Sequence, residues 1–229
     1  MENLDDLQLS SNDEYGTALR HDTLEILHEF LREKADRELR EREHIINKAG
    51  KAAKFEEDWQ LSQFWYSEST KKTLGQVIQN LIAGHSTDYS IALLSCPSLY
   101  STVKDIHDNV KIFEFDKRFA AYGDDFVFYD LNGADVEESL KHLQSSFDVL
   151  IADPPFLSEE CIAKMAKIVT ALQRPKAKII FCSGDVVESW LMHYLQLNKC
   201  GFRPEHERNL GNEFASYANF DLDDFIVKK

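Results

Sequence analysis

The chain has 229 residues, 43% of them hydrophobic, with a mean hydropathy of −0.39 and a formal net charge of −14. This suits one sizeable core with an appendage, and no apolar run approaches the roughly 20 residues of a membrane-spanning helix. The acidic balance disfavours nucleic acid, whose partners usually carry a basic surface, and suits a protein with a basic face.

The first residues, Met1 to Asp6, are acidic and lack the basic and apolar regions of a secretory signal. A cytoplasmic protein with no membrane contact is expected. Residues 1–21 are polar and aperiodic, and read as a disordered tail. From Asp22 the pattern becomes helical. Asp22 or Thr23 can cap, Leu24, Leu27 and Leu31 form a stripe, and mixed charges continue through Glu43. Residues 22–54 are expected as a charged N-terminal helix, either solvated or helping to dock a partner.

Residues 55–229 are expected as the main domain. Residues 55–67 are dense in aromatics, and Phe64, Trp65 and Tyr66 cannot all face one way, so some can line a pocket. Residues 70–83 read as a helix with Leu74, Val77, Ile78, Leu81 and Ile82 inward. Strands then follow at 89–94, 110–115, 126–129, 149–152 and 177–182. Helical stretches fall at 99–105, 117–122, 136–143, 158–172 and 185–195. Runs near 202–208 and 214–220 would close the chain as an antiparallel pair. Such alternation means an α/β fold, a doubly wound parallel sheet with helices on both faces. Cys96, Cys161, Cys182 and Cys200 are far apart and have no histidine at zinc spacing, so neither a metal site nor a disulfide is expected.

One segment carries chemistry. The apolar run Val149 to Ala152 stops at Asp153-Pro154-Pro155-Phe156. Two prolines cannot continue a buried strand, because each lacks an N–H and has φ near −65°. A carboxylate, proline carbonyls and an aromatic ring are thus held in a stiff turn at the carboxyl end of a strand, where open α/β sheets bind ligands. That set suits an amine. The bland alternative is a plain Asp-Pro turn.

Asp153-Pro154-Pro155-Phe156 resembles the (Asp/Asn)-Pro-Pro-(Phe/Tyr) motif of amine methylases among the class I S-adenosylmethionine-dependent methyltransferases. Together with residues 59–67 and 113–119, it resembles the lysine methyltransferases of translation elongation factor 1-alpha, a group first classed by motif with N6-adenine DNA methylases. The resemblance implies a Rossmann-like seven-stranded sheet, a C-terminal antiparallel hairpin and S-adenosylmethionine as cofactor. It implies a catalytic set of Asp153, Pro154, Pro155 and Phe156. The loop after the first strand, with Ser95, Cys96 and Pro97, would approach the methionine part of the cofactor. The family is glycine-rich there and this chain has no glycine, so the segment Phe64 to Ser67, Tyr66 and Ser67 above all, would help to cover the ligand. Glu114, or else Asp116, would take the ribose hydroxyls. Asp130 would accept from the adenine amino group and Leu131 would cover the ring, although Asp130 can equally form a turn with Asn132 and Gly133. Asp153 would also face the cofactor.

The resemblance implies a monomeric protein-lysine N-methyltransferase whose partner is elongation factor 1-alpha. The alternatives are an N6-adenine nucleic acid methyltransferase and a non-enzymatic scaffold. With a reference pKa near ~3.9, Asp153 is expected to hold amine hydrogens rather than to act as a base.

Overall fold

The computed structural model describes residues 55, 57–58, 63–85, 88–133, 135–208 and 213–226. The tail expected at 1–21 and the charged helix expected at 22–54 lie outside the described residues. The first described helix, α1 (Glu68–Ile82), begins where the Ser67 hydroxyl accepts from the Thr70 N–H at 3.2 Å. Leu74, Val77, Ile78 and Leu81 fall on one face of α1 and are buried.

Seven strands follow: β1 (Ile91–Leu94), β2 (Val110–Glu114), β3 (Phe126–Phe128), β4 (Phe147–Ala152), β5 (Gln173–Gly184), β6 (Asn198–Lys199) and β7 (Phe214–Ala218). They form one sheet in the order β3-β2-β1-β4-β5-β7-β6. The first five run parallel, and β7 runs antiparallel to both β5 and β6. The connecting helices are α2 (Tyr100–Lys104), α3 (Val136–Ser139), α4 (Glu159–Leu172) and α5 (Glu188–Leu195).

The central strands are apolar throughout because both faces of the sheet are covered. In β4, Leu150 and Ala152 join the layer under α4 and α5, whereas Val149 and Ile151 join the layer under α1 and α2. This is the two-residue period of a strand. The Ser158 hydroxyl starts α4 by accepting from the Cys161 N–H at 3.3 Å. Ile162, Met165, Ala166 and Val169 then pack inward, as their spacing predicts.

The hairpin differs from expectation in one strand. β7 lies where it was expected, but its outer partner is Asn198–Lys199, not residues 202–208. Pro204 within that run has no N–H for a ladder. The backbone beyond it pairs elsewhere: the Ser67 N–H donates to the Glu205 carbonyl and the Glu207 N–H to the Trp65 carbonyl, both at 2.8 Å. Tyr66 and His206 form an antiparallel bridge between these two bonds. The aromatic segment before α1 is thereby stitched to the C-terminal stretch.

Helix α1 packs closely on α2 at Gly75, where an added Cβ would stand 2.8 Å from the Thr102 methyl carbon. Gly75→Leu is therefore expected to destabilise the protein by about 1–3 kcal/mol, the usual range for overpacking. Urea denaturation of the variant against the parent checks this.

Candidate active site

The strand register builds one row of residues. Leu94 lies beside Phe113 on one side and Ala152 on the other. The next residue of each strand, Ser95, Glu114 and Asp153, therefore emerges together at the carboxyl end of the sheet. The Ser95 N–H donates to the Phe113 carbonyl at 2.9 Å and the Asp153 N–H to the Leu94 carbonyl at 3.0 Å, which extends the ladder by one step.

The glycine-free loop solves its geometry at Ser95, which adopts a φ of +55°. That is the left-handed region a glycine favours, and serine holds it at a cost of roughly 1 kcal/mol. The Ser95 hydroxyl lies 3.0 Å from the Tyr129 hydroxyl. The buried Cys96 thiol donates to the Ile151 carbonyl at 3.5 Å. Pro97 opens a short 3₁₀ turn, and the Ser98 hydroxyl accepts from the Tyr66 N–H at 3.2 Å. The aromatic segment is thus fixed directly to the loop.

Glu114 is buried at the end of β2. Its Oε1 accepts from the Phe115 N–H at 3.2 Å, the Asp116 N–H at 3.3 Å and the Gln63 amide at 3.4 Å. Oε2 accepts from none of the described residues. Burial pushes this carboxyl up to about 7; its three donors oppose the rise and the Asp116 charge adds to it.

Asp153 is enclosed by protein atoms yet keeps a partial opening to solvent. Burial pushes its carboxyl up to about 7 as well; the Tyr66 phenol opposes this and the Glu114 charge adds to it. The Tyr66 hydroxyl is fully buried and approaches Asp153 without reaching full hydrogen-bond geometry with any partner. Among the described residues no cationic side chain pairs with Asp153 or Glu114. In the turn that follows, Pro154 is buried, Pro155 is half-buried and the Phe156 ring is 51% exposed at the rim.

The remaining expected residues divide by what their polar atoms already do. Asp130 is half-buried; its Oδ1 accepts from the Asn132 N–H at 2.9 Å, a turn-forming bond, and Oδ2 accepts from none of the described residues. Leu131 is buried beside it. The Ser67 hydroxyl caps α1. Asp116 pairs with Arg118 at 2.6 Å and caps the turn that follows. Two residues at the site were not singled out in the sequence. Phe115 follows Glu114, is 48% exposed and stands 5.9 Å from the Phe128 ring. An aromatic residue directly after a strand-ending acid was a readable signal. Gln63 lies within residues 59–67, which carry part of the resemblance, but nothing in that segment marks its amide as a site residue.

The row fits S-adenosylmethionine. The free Oε2 of Glu114 is an acceptor suited to a diol. Phe115 offers an exposed aromatic face beside it, suited to a purine. Two buried carboxyls without a cation suit a ligand that brings a positive charge of its own.

Residues 57–222 match the family model described as "Probable N6-adenine methyltransferase". A Drosophila melanogaster protein named Protein-lysine N-methyltransferase CG9154 is 58% identical over 219 residues, covering 93% of this chain and 98% of that protein. Human EEF1A lysine methyltransferase 1 is 44% identical over 170 residues, covering 72% of this chain and 76% of that protein. Its Gallus gallus counterpart is 38% identical over 216 residues, covering 93% and 98%.

The electrostatics of the row give a signed expectation for the ligand-free protein. A carboxyl raised from 3.8 to about 7 favours the folded state while protonated, and that contribution is lost as pH rises from about 4 through about 7. Asp153→Asn removes the ionisation. The variant is expected to melt several degrees above the parent at pH 8, with the gap narrower at pH 5 and closing toward pH 4. Thermal melts across that range check this.

Proposed function

We propose that this chain, which belongs to the family described as probable N6-adenine methyltransferase, is an S-adenosylmethionine-dependent protein-lysine N-methyltransferase whose substrate is elongation factor 1-alpha. The observation that carries this reading is the enclosed Asp153 carboxyl, with no cationic partner among the described residues, in a stiff proline turn beside the exposed Phe156 ring. The names of the relatives support the lysine acceptor and the elongation-factor partner. The net charge of −14 supports a basic protein surface over a nucleic acid. The protein is proposed to act as a cytoplasmic monomer.

When bound, the cofactor supplies an electrophilic methyl group on a positively charged sulfur. The residues of this chain prepare the nucleophile. A lysine ammonium has a pKa near ~10.4 and must lose a proton before its nitrogen can attack. Asp153, raised to about 7 by burial, is closer to that value than an ordinary aspartate. It still lies below the lysine value, so the proton leaves to solvent as the amine is desolvated and Asp153 stays a carboxylate that accepts hydrogen bonds. Asp153 and the Pro154 carbonyl grip two hydrogens of the amine and aim its lone pair. Positive charge then develops on nitrogen, where the carboxylate and the Phe156 face stabilise it. The proline turn is already stiff, so little of this set needs to reorganise.

The test is transfer of labelled methyl to the proteins of a cytosolic extract, with Asp153→Ala alongside. One labelled band of the elongation factor's size, lost with the folded variant by a factor of at least about 100, is the expected outcome. The family model's description favours one other outcome, label in nucleic acid. That result, or near-parental turnover by Asp153→Ala, would overturn the reading.

A further inference from the structure

Gln63 is 6% exposed and both ends of its amide are engaged. Its Oε1 accepts from Arg118 Nη2 at 3.0 Å. Its Nε2 donates to Asp116 Oδ2 at 3.1 Å and to Glu114 Oε1 at 3.4 Å. We infer that Gln63 is a positioning residue for cofactor binding, holding Arg118 on Asp116 and fixing Oε1 of Glu114 inward so that Oε2 is the oxygen presented to the ribose hydroxyls. The inference rests on the methyltransferase reading only in that the ligand is S-adenosylmethionine.

The amide bridges the Arg118–Asp116 pair and Glu114. With Gln63 in place, the guanidinium is held by Asp116 through Nε and Nη2 at 2.6 Å each. Glu114 keeps Oε2 as its acceptor for a ligand, its Oε1 already taking three donors. The same irregular segment carries Tyr66, which faces Asp153. Residues 63–66 thus bring one donor toward each of the two buried carboxyls.

The groups bearing on Glu114 make the role testable by pH. They are Asp116 on its own loop, Asp153 after β4, Tyr129 after β3, Cys96 after β1, and Arg118 across the amide. All but Arg118 are neutral or acidic, and the Gln63 donor favours the ionised form of Glu114. Its loss should make Glu114 harder to ionise.

The experiment is calorimetric titration of S-adenosylmethionine into the full chain from pH 6 to 9, for the parent, Gln63→Ala and Gln63→Met. Methionine keeps the volume and removes the amide. Both variants are expected to bind at least tenfold more weakly, with the midpoint of the pH profile of Gln63→Met moved upward. The KM for the protein substrate should stay within about twofold. Parental affinity and an unmoved profile in Gln63→Met would overturn the inference and leave Gln63 as packing. A parent chain that binds no cofactor would overturn both this inference and the proposed function. Cofactor binding that depends on Gln63, with methyl label only in nucleic acid, would sink the lysine reading alone.

Discussion

Two carboxyls enclosed at the ends of β2 and β4, on either side of β1 and with no cation beside them among the described residues, govern this site. Glu114 and Asp153 are both raised to about 7 by burial, and the Glu114 charge makes Asp153 harder still to ionise. Buried charges are normally paired. Here the described residues offer hydrogen-bond donors and the Tyr66 phenol, but no cation to either group. The folded chain carries an electrostatic deficit at the point where a cationic ligand and an ammonium substrate would meet. Stability is given up there in exchange for function, as perturbed groups in clefts commonly show.

The rest of the structure keeps that arrangement in place. The parallel register lines up Ser95, Glu114 and Asp153 without help from any loop. The loops then set direction. Ser95 turns the chain away through a left-handed residue, and the two prolines turn it away after β4. The aromatic segment, held by Ser98 on one side and by residues 205–207 on the other, brings Gln63 to Glu114 and Tyr66 toward Asp153.

Much of the fold was legible because the central strands are short apolar runs and the helices have caps and stripes of ordinary form. Asp153 stood out because prolines interrupt an apolar run, a local signal. Glu114 was recoverable as the acid ending the second strand. What stayed hidden was long-range. Nothing in the sequence near Gln63 indicates an amide bonding to residues more than 50 positions away. The missing glycine was a true sequence signal with an unexpected resolution, since Ser95 takes up the backbone conformation itself. The hairpin strand expected at 202–208 failed for a related reason. Its β-like composition is real, but its partner is the segment before α1 rather than β7.

That last pairing has a bearing on how the protein comes into being. The bonds from Ser67 and Thr70 to Glu205 span about 135 residues of chain. Contacts of such separation are costly to close and form late. During synthesis the sheet strands β1 to β5 can assemble while the segment carrying Gln63 and Tyr66 still waits for its far partner. The surface carrying Gln63 and Tyr66 then matures after the parallel strands, and a nascent chain halted before His206 would possess β1 to β5 but not the stitched aromatic segment.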